Sequence, residues 1–354
     1  MGSDLINEGN KMFAFLKKGF FPKAVFVGPM QNYFKTLEKK KCFVIASKEA
    51  FEGSAEPLRT VLDIGEKAVF FVEGEPSQAS LEECKKQIES LGEFDFVLGF
   101  GGGSALDLAK AVKRELGLEM AAVPTTPGTG SEASPYAVLT KEGKKVVLSG
   151  QGIMPETVVL DAGPLKSIPK DLLGFMAMDA LGHSIEALLS RAANPVSDAL
   201  ASKAAQMIFS ASKQEEEKLQ TLQAAGFLAG IAQGMAATGL AHAMAHALGP
   251  KLGLGHAKAV SLFLKGAVEL NLENSNAGEK LERVGLSKEK ILEGIDETAR
   301  GFSVELKAVE AEKGFDFKEA VQEIKKDVCI LTNPFRPDDG QIEEILRKAV
   351  KEKE

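Results

Sequence analysis

Residues 95–116 read DFVLGF, then GGGS, then ALDLAKAVKREL. This is an apolar strand run into a glycine turn that opens an amphipathic helix. A strand that feeds a helix through so short a turn lays the helix back on its sheet, and the next strand then runs parallel to the first. The same alternation recurs upstream and downstream. Lys23–Gly28, Lys41–Ala46, Lys67–Val72 and Met120–Val123 are further short apolar runs, and Ser80–Leu91 carries a helical pattern. Such runs separated by helices predict an α/β fold with a parallel, doubly wound sheet. Tyr136–Thr140 and Lys145–Ser149 read as an antiparallel pair around Glu142-Gly143, and Thr157–Leu160 as one more strand.

After Asp161 the pattern changes, and strand signals almost disappear. Helical patterns occupy Asp171–Ser190, Ser197–Ser212, Gln214–Ala237, Leu240–Leu248, Ala257–Leu272, Gly278–Val284, Ser287–Lys307, Lys318–Val328 and Asp339–Lys353. The expected organisation is an α/β domain over residues 1–162 and an all-helical domain over 163–354. Two domains also suit 354 residues.

A net charge of −7 without a basic face argues against nucleic-acid binding. Cys42, Cys84 and Cys329 are odd in number and widely spread, which fits reduced thiols in a cytoplasmic protein. The first residues carry charges throughout, so no signal peptide is expected. Leu219–Pro250 holds no Asp, Glu, Lys or Arg. It is rich in Ala, Gly, Gln, Thr and His, however, and reads as buried helix rather than membrane span.

Two loops suit a nucleotide. Gly101, Gly102, Gly103 and Ser104 follow a strand and open a helix, where free N–H groups and the helix dipole favour an anion. Ser104 is the expected cap. The loop departs from the G-x-G-x-x-G fingerprint, since position 106 is Leu. Thr125, Thr126 and Thr129 lie in the second loop, TTPGTGS, also past a strand. In an open α/β sheet both loops would lie beyond the carboxyl ends of the strands, where ligands gather. Asp107, one turn into the helix, would hold the loop, hold a ribose, or simply favour the helix dipole.

Histidine is rare and clustered. Of four in the chain, His242, His246 and His256 fall in GLAHAMAHALGPKLGLGH, and His183 follows Asp179 by four residues. Asp179 and His183 share a helix face, as do His242 and His246. Three imidazoles and a carboxylate suit a divalent transition metal such as Fe, Zn, Ni or Co, and the lack of thiolates excludes a structural zinc site. With Asp179 and His183 on one helix, His242 on another and His256 after a glycine turn, such a centre would face the nucleotide domain across a cleft.

GGGSALDLAK (101–110), PTTPGTGSEASPY (124–136), MDALGHSIEALLSR (178–191) and GLAHAMAHALGPKLGLGHAKA (239–259) resemble the signatures of the iron-dependent (group III) alcohol dehydrogenase family. Asn333-Pro334 and the helix QIEEILRKAV resemble its C-terminus. The resemblance implies a Rossmann-like nucleotide domain followed by a helical metal-binding domain. It implies Asp179, His183, His242 and His256 as Fe2+ ligands and His246 as a non-ligand member of a proton relay. It also implies cofactor contacts at Gly101–Ser104, Asp107, Thr125, Thr126 and Thr129, and Lys145 near the nicotinamide ribose. The implied substrates are small alcohols and their aldehydes. Zn2+ would satisfy the same donors, and a homodimer is common for such folds.

The chain departs from the family in three places. NAD-preferring members carry an Asp after the second strand, where this chain has Ser47 beside Lys48. A carboxylate would repel a 2′-phosphate, so NADP(H) is expected over NAD(H). Glu75-Pro76 replaces the family's Asn-Pro, and the C-terminal helices are shortened. A dehydroquinate-synthase-type lyase is the alternative, but it expects Glu at the position of Asp179. A non-catalytic nucleotide- or metal-binding relative is the other, against which the retained donors and His246 weigh.

Overall fold

The computed structural model describes residues 19–37, 40–62, 66–212 and 217–353. Among these, the chain divides into two compact units, with the division between Pro169 and Lys170; residues 217–230 group with the first.

The first unit is built on a six-stranded, all-parallel sheet. Its strands are β1 (Ala24–Val27), β2 (Cys42–Ser47), β3 (Val69–Val72), β4 (Phe96–Gly101), β5 (Glu119–Pro124) and β8 (Thr157–Leu160), in the order β1-β8-β5-β4-β2-β3. Helices α1 (Met30–Phe34), α2 (Lys48–Ser54), α3 (Glu56–Leu62), α4 (Gln78–Leu91) and α5 (Gly103–Leu116) complete the crossovers. β6 (Tyr136–Lys141) and β7 (Lys144–Ser149) form the antiparallel pair, turning at Glu142 and Gly143, both at positive φ. The central strands are buried on both faces, so they read as unbroken apolar runs. Val44, Ala46, Leu98, Phe100, Ala121 and Val123 pack with Phe34, Phe51 and Leu58 on one side. Gly99 faces the other side and approaches Leu106 and Ala109 of α5.

Chain order reverses between β2 and β4, which are neighbours. The carboxyl ends of those two strands therefore form the switch point at which ligands of such sheets bind. Ser47 ends one and Gly101 the other.

The second unit contains α6 (Lys170–Leu189), α7 (Pro195–Ala211), α9 (Leu240–Leu248), α10 (His256–Glu273), α11 (Ala277–Arg283), α12 (Lys288–Gly301), α13 (Phe317–Ile324) and α14 (Asp339–Ala349). The intervening helix α8 (Lys218–Ala236) begins in the first unit. Several expected boundaries move. The helix expected over Ser287–Lys307 stops at Gly301, and Ser303 follows at φ 57°. Val328 belongs to a short 3-10 turn rather than to α13. Val309–Ala311 and Val350–Glu352 form a parallel pair, β9 and β10, in a region read as wholly helical.

Helix α6 is long and apolar enough to cross a membrane, with a mean hydropathy of 1.3, yet 83% of that stretch is buried. The uncharged stretch flagged in the sequence folds as α8 and α9, bent by 96°.

Candidate metal centre and nucleotide-binding loops

Helix α6 places Asp179, His183 and Glu186 on one face, at i, i+4 and i+7. All three are buried, as is His242 of α9. His256 opens α10, and its side chain is 44% exposed. The donor atoms of Asp179, His183, His242 and His256 all lie within 4.8 Å of one another. From Asp179 Oδ1, the Nε2 atoms of His242, His256 and His183 stand 3.5, 3.7 and 3.9 Å away. A tetrahedral metal with bonds of roughly 2.0–2.2 Å needs donor separations of about 3.3–3.6 Å. Asp179 Oδ1 and His242 Nε2 are buried with no hydrogen-bond partner among the described residues. Such orphaned atoms are costly unless something binds them, and a divalent cation fits the space between these donors.

Glu186 was missed in the sequence. Its Oε2 lies 2.5 Å from His242 Nδ1 and its Oε1 accepts the Ala241 N–H at 2.6 Å. A carboxylate only accepts, so Nδ1 carries a proton and Nε2 is the atom turned toward the other donors. Asn333 Oδ1 accepts the Leu240 N–H at 3.1 Å, and Asn333 also exchanges hydrogen bonds with Asn271. Two remote side chains thus cap α9 and fix the direction of His242. The signal for Glu186 was present as the third polar residue of one helix face in MDALGHSIEALL.

Charge coupling follows this geometry. Burial disfavours the charged imidazole of His242, but Glu186 and Asp179 outweigh it and raise its pKa to about 9, so a cation bound at Nε2 would displace a proton from that atom. Burial dominates at His183 and pushes it down to about 4. Burial would raise the Asp179 carboxyl, yet the surrounding histidines hold it well below the ordinary range.

His246 does not join the four donors. Its Nδ1 bonds Asp327 Oδ2 at 3.0 Å, and its ring stacks on that of His256 with centroids 5.3 Å apart.

In the first unit, α5 begins at Gly103 with Gly102 as its N-cap and no side chain capping it, so Ser104 lies inside the helix and is not the cap. A Cβ at Gly101 would stand 2.8 Å from Ala105 Cβ and 2.9 Å from Ser47 Oγ, and its φ is +155°. Only glycine fits there. Thr126 Oγ1 is buried without a hydrogen-bond partner among the described residues, and a Cβ at Gly102 would meet Thr126 at 3.3 Å. Ser47, the glycine turn and Thr126 thus cluster at the switch point. The uncapped helix start and the orphaned hydroxyl fit an anionic group such as a pyrophosphate.

Asp107 is occupied elsewhere. Its oxygens accept Ser131 Oγ at 2.5 Å and the Val138 N–H at 2.9 Å, so it holds the second loop. Lys110 helps, donating to the carbonyls of Tyr136 and Ser134 at 2.6 and 3.0 Å; burial pushes its pKa down to about 8. Lys145 of β7 pairs with Glu75 at the surface. Gly226 and Gly230 of α8 let that helix lie on the TTPGTGS loop: a Cβ at Gly226 would fall 2.0 Å from the Pro127 carbonyl oxygen, and one at Gly230 would fall 2.7 Å from Gly130 Cα. The GFLAG spacing carried that signal, unread in the sequence.

Comparison with known proteins agrees with this layout. Residues 21–162 match the family model "Iron-containing alcohol dehydrogenase", and residues 175–350 match "Fe-containing alcohol dehydrogenase family, C-terminal". The 1-propanol dehydrogenase PduQ of Citrobacter freundii is 31% identical over 287 residues, covering 72% of this chain and 77% of that one. The structure of an iron-containing alcohol dehydrogenase from Thermotoga maritima is similar at 28% identity and TM-score 0.79, over 94% of this chain and 99% of that one. The sulfoacetaldehyde reductase of Bifidobacterium kashiwanohense, solved with NAD+, shares the fold at 22% identity and TM-score 0.80, over 94% and 98%. The lyase alternative is not favoured by these likenesses. With both family models matched in order, and their matched stretches holding the nucleotide loops and the Asp-His cluster, the chain belongs to the iron-containing alcohol dehydrogenase family.

Proposed function

We propose that the chain is a metal-dependent alcohol dehydrogenase and aldehyde reductase acting on small alcohols and their aldehydes. It uses Fe2+, with Zn2+ able to satisfy the same donors, and prefers NADP(H) to NAD(H). Residues 1–162 serve the dinucleotide and 163–354 the metal, in a cytoplasmic protein that forms homodimers. The observation that carries this reading is the donor cluster whose buried Asp179 Oδ1 and His242 Nε2 lack hydrogen-bond partners among the described residues.

Asp179, His183, His242 and His256 hold the metal. When bound, the metal lowers the pKa of an alcohol hydroxyl and polarises a carbonyl, and the nicotinamide carries the hydride. The chain supplies the rest. Asp179 contributes the single negative charge among the donors, so the site stays electrophilic. Glu186 keeps the His242 lone pair directed inward. His246, 43% exposed, moves the proton between the substrate oxygen and solvent. Gly101, Gly102, Gly103 and Ser104 take the pyrophosphate, with Thr125, Thr126 and Thr129 beside it, and Lys145 approaches the nicotinamide ribose. Asp107 supports the second loop from below. Ser47 ends β2 without a negative charge, and exposed Lys48 opens the next helix, which favours a 2′-phosphate.

The test is anaerobic oxidation of NADPH and NADH by the Fe2+-loaded protein against a panel of short aldehydes, with His256→Ala as control. Metal-dependent oxidation that is lost in the control supports the reading. If both cofactors bind and neither is consumed, the reading falls. Ser47→Asp should move preference toward NADH, and an unchanged ratio would remove Ser47 from the specificity assignment.

A further inference from the structure

Within the second unit, His246 and Asp327 form a pair that the donor cluster does not use. We infer that Asp327 is the positioning residue for His246: it fixes the imidazole in one tautomer, with the proton on Nδ1 and the lone pair on Nε2. This rests on the dehydrogenase reading, in which His246 moves the substrate proton.

The geometry is over-determined. Asp327 caps the short turn Val328–Leu331, its Oδ1 accepting the Cys329 N–H at 2.8 Å. Its Oδ2 is left to face His246 Nδ1 at 3.0 Å. One carboxylate oxygen is therefore pinned to the backbone while the other points at the ring. A carboxylate offers no proton, so Nδ1 must donate. Burial alone would raise the Asp327 carboxyl, but the hydrogen bonds from His246 and from the Cys329 N–H keep it below its ordinary value, so it stays an acceptor at neutral pH. Cys329 Sγ lies 4.0 Å from Nδ1 and accepts a hydrogen bond from Thr238 Oγ1 at 3.1 Å, so it does not displace Asp327. The other face of the ring stacks on His256, which limits rotation. The ring is held on one side and stacked on another, and Nε2 is left as its working atom. A buried aspartate plays the same part toward the histidine of a serine protease triad, where exchanging it for asparagine selects the wrong tautomer.

The chain's four histidines make the test direct. Zn2+-loaded protein labelled with 15N-histidine is examined by long-range 1H–15N correlation at about pH 8, where an ordinary imidazole is neutral. The His246 signals are assigned by their loss in His246→Ala. The expected wild-type pattern is protonated Nδ1 and bare Nε2. In Asp327→Asn the carboxamide turns an N–H toward Nδ1 and the proton moves to Nε2; in Asp327→Glu the wild-type pattern returns. With Fe2+ and an aldehyde, Asp327→Asn should lower kcat on the order of 10²-fold or more, with KM little changed. A wild-type His246 protonated on Nε2, or an Asp327→Asn variant that keeps the wild-type tautomer, overturns the inference. Tautomers are read without turnover, so this failure is distinct from a failure of the dehydrogenase reading.

Discussion

Replacing Glu186 by Gln probes whether the metal centre is held from behind. Glu186 accepts two hydrogen bonds, from His242 Nδ1 at 2.5 Å and from the Ala241 N–H at 2.6 Å. A glutamine has one acceptor oxygen. Whichever way its amide turns, its NH2 faces one of these donors, and a buried donor goes unsatisfied. Such a loss costs about 1–3 kcal/mol. If the amide meets Nδ1 as donor, His242 takes its other tautomer and the Nε2 lone pair is lost to the metal. Changes behind metal-ligating histidines typically weaken affinity by about 10–100-fold, equivalent to about 1.4–2.8 kcal/mol. The assay is competition for Zn2+ against a chromophoric chelator at neutral pH, with circular dichroism confirming that both proteins are folded. A Glu186→Gln variant that binds Zn2+ as tightly as the wild type would refute the role given to this carboxylate.

Three further outcomes follow from other parts of the structure. In Gly226→Ala the new methyl would meet the Pro127 carbonyl oxygen at 2.0 Å, so helix and loop must part, at about 1–3 kcal/mol of overpacking; NADPH affinity measured by fluorescence should fall, and unchanged affinity would show that α8 does not set the loop. Burial raises the Glu132 carboxyl from 4.5 to about 7 against the pull of Lys110; its neutral form therefore supports folding below about pH 4.5, and that support is lost as pH rises through 7, up to about 3 kcal/mol. Glu132→Gln should thus melt several degrees above the wild type at pH 8 and alongside it at pH 4, and parallel curves would contradict this. Removing the metal with a chelator should lower the melting temperature of the wild type, because ligand binding contributes about 4 kcal/mol at a thousandfold excess over Kd. The same treatment should hardly move His256→Ala.

Fold class was legible because burial on both faces writes the central strands as continuous apolar runs; Thr157–Leu160 falls where it was expected. Short elements were not. Met30–Phe34, Lys48–Ser54 and Glu56–Leu62 are too brief to show a helical period. The strand at 350–352 lies at the end of a helical pattern and the one at 309–311 falls between two such patterns, and only their mutual pairing makes them strands. In the candidate site, Asp179 and His183 announced themselves by spacing within one helix, whereas Asp327 lies 81 residues from His246 and no local pattern links the two. Glu186 and Gly226 had local signals whose meaning depended on partners elsewhere in the fold. Asp107 shows the reverse: its sequence position fitted a ribose contact, but the structure engages its oxygens with Ser131 and Val138.

The most direct measurement is a crystal of the anaerobically Fe2+-loaded protein with anomalous data collected on both sides of the iron edge. One peak per chain is expected, bonded at about 2.0–2.2 Å to Asp179 Oδ1 and to the Nε2 atoms of His183, His242 and His256, with His246 outside the coordination sphere. A peak ligated by His246 in place of one of these, or iron bound only elsewhere on the chain, would contradict the metal centre proposed here.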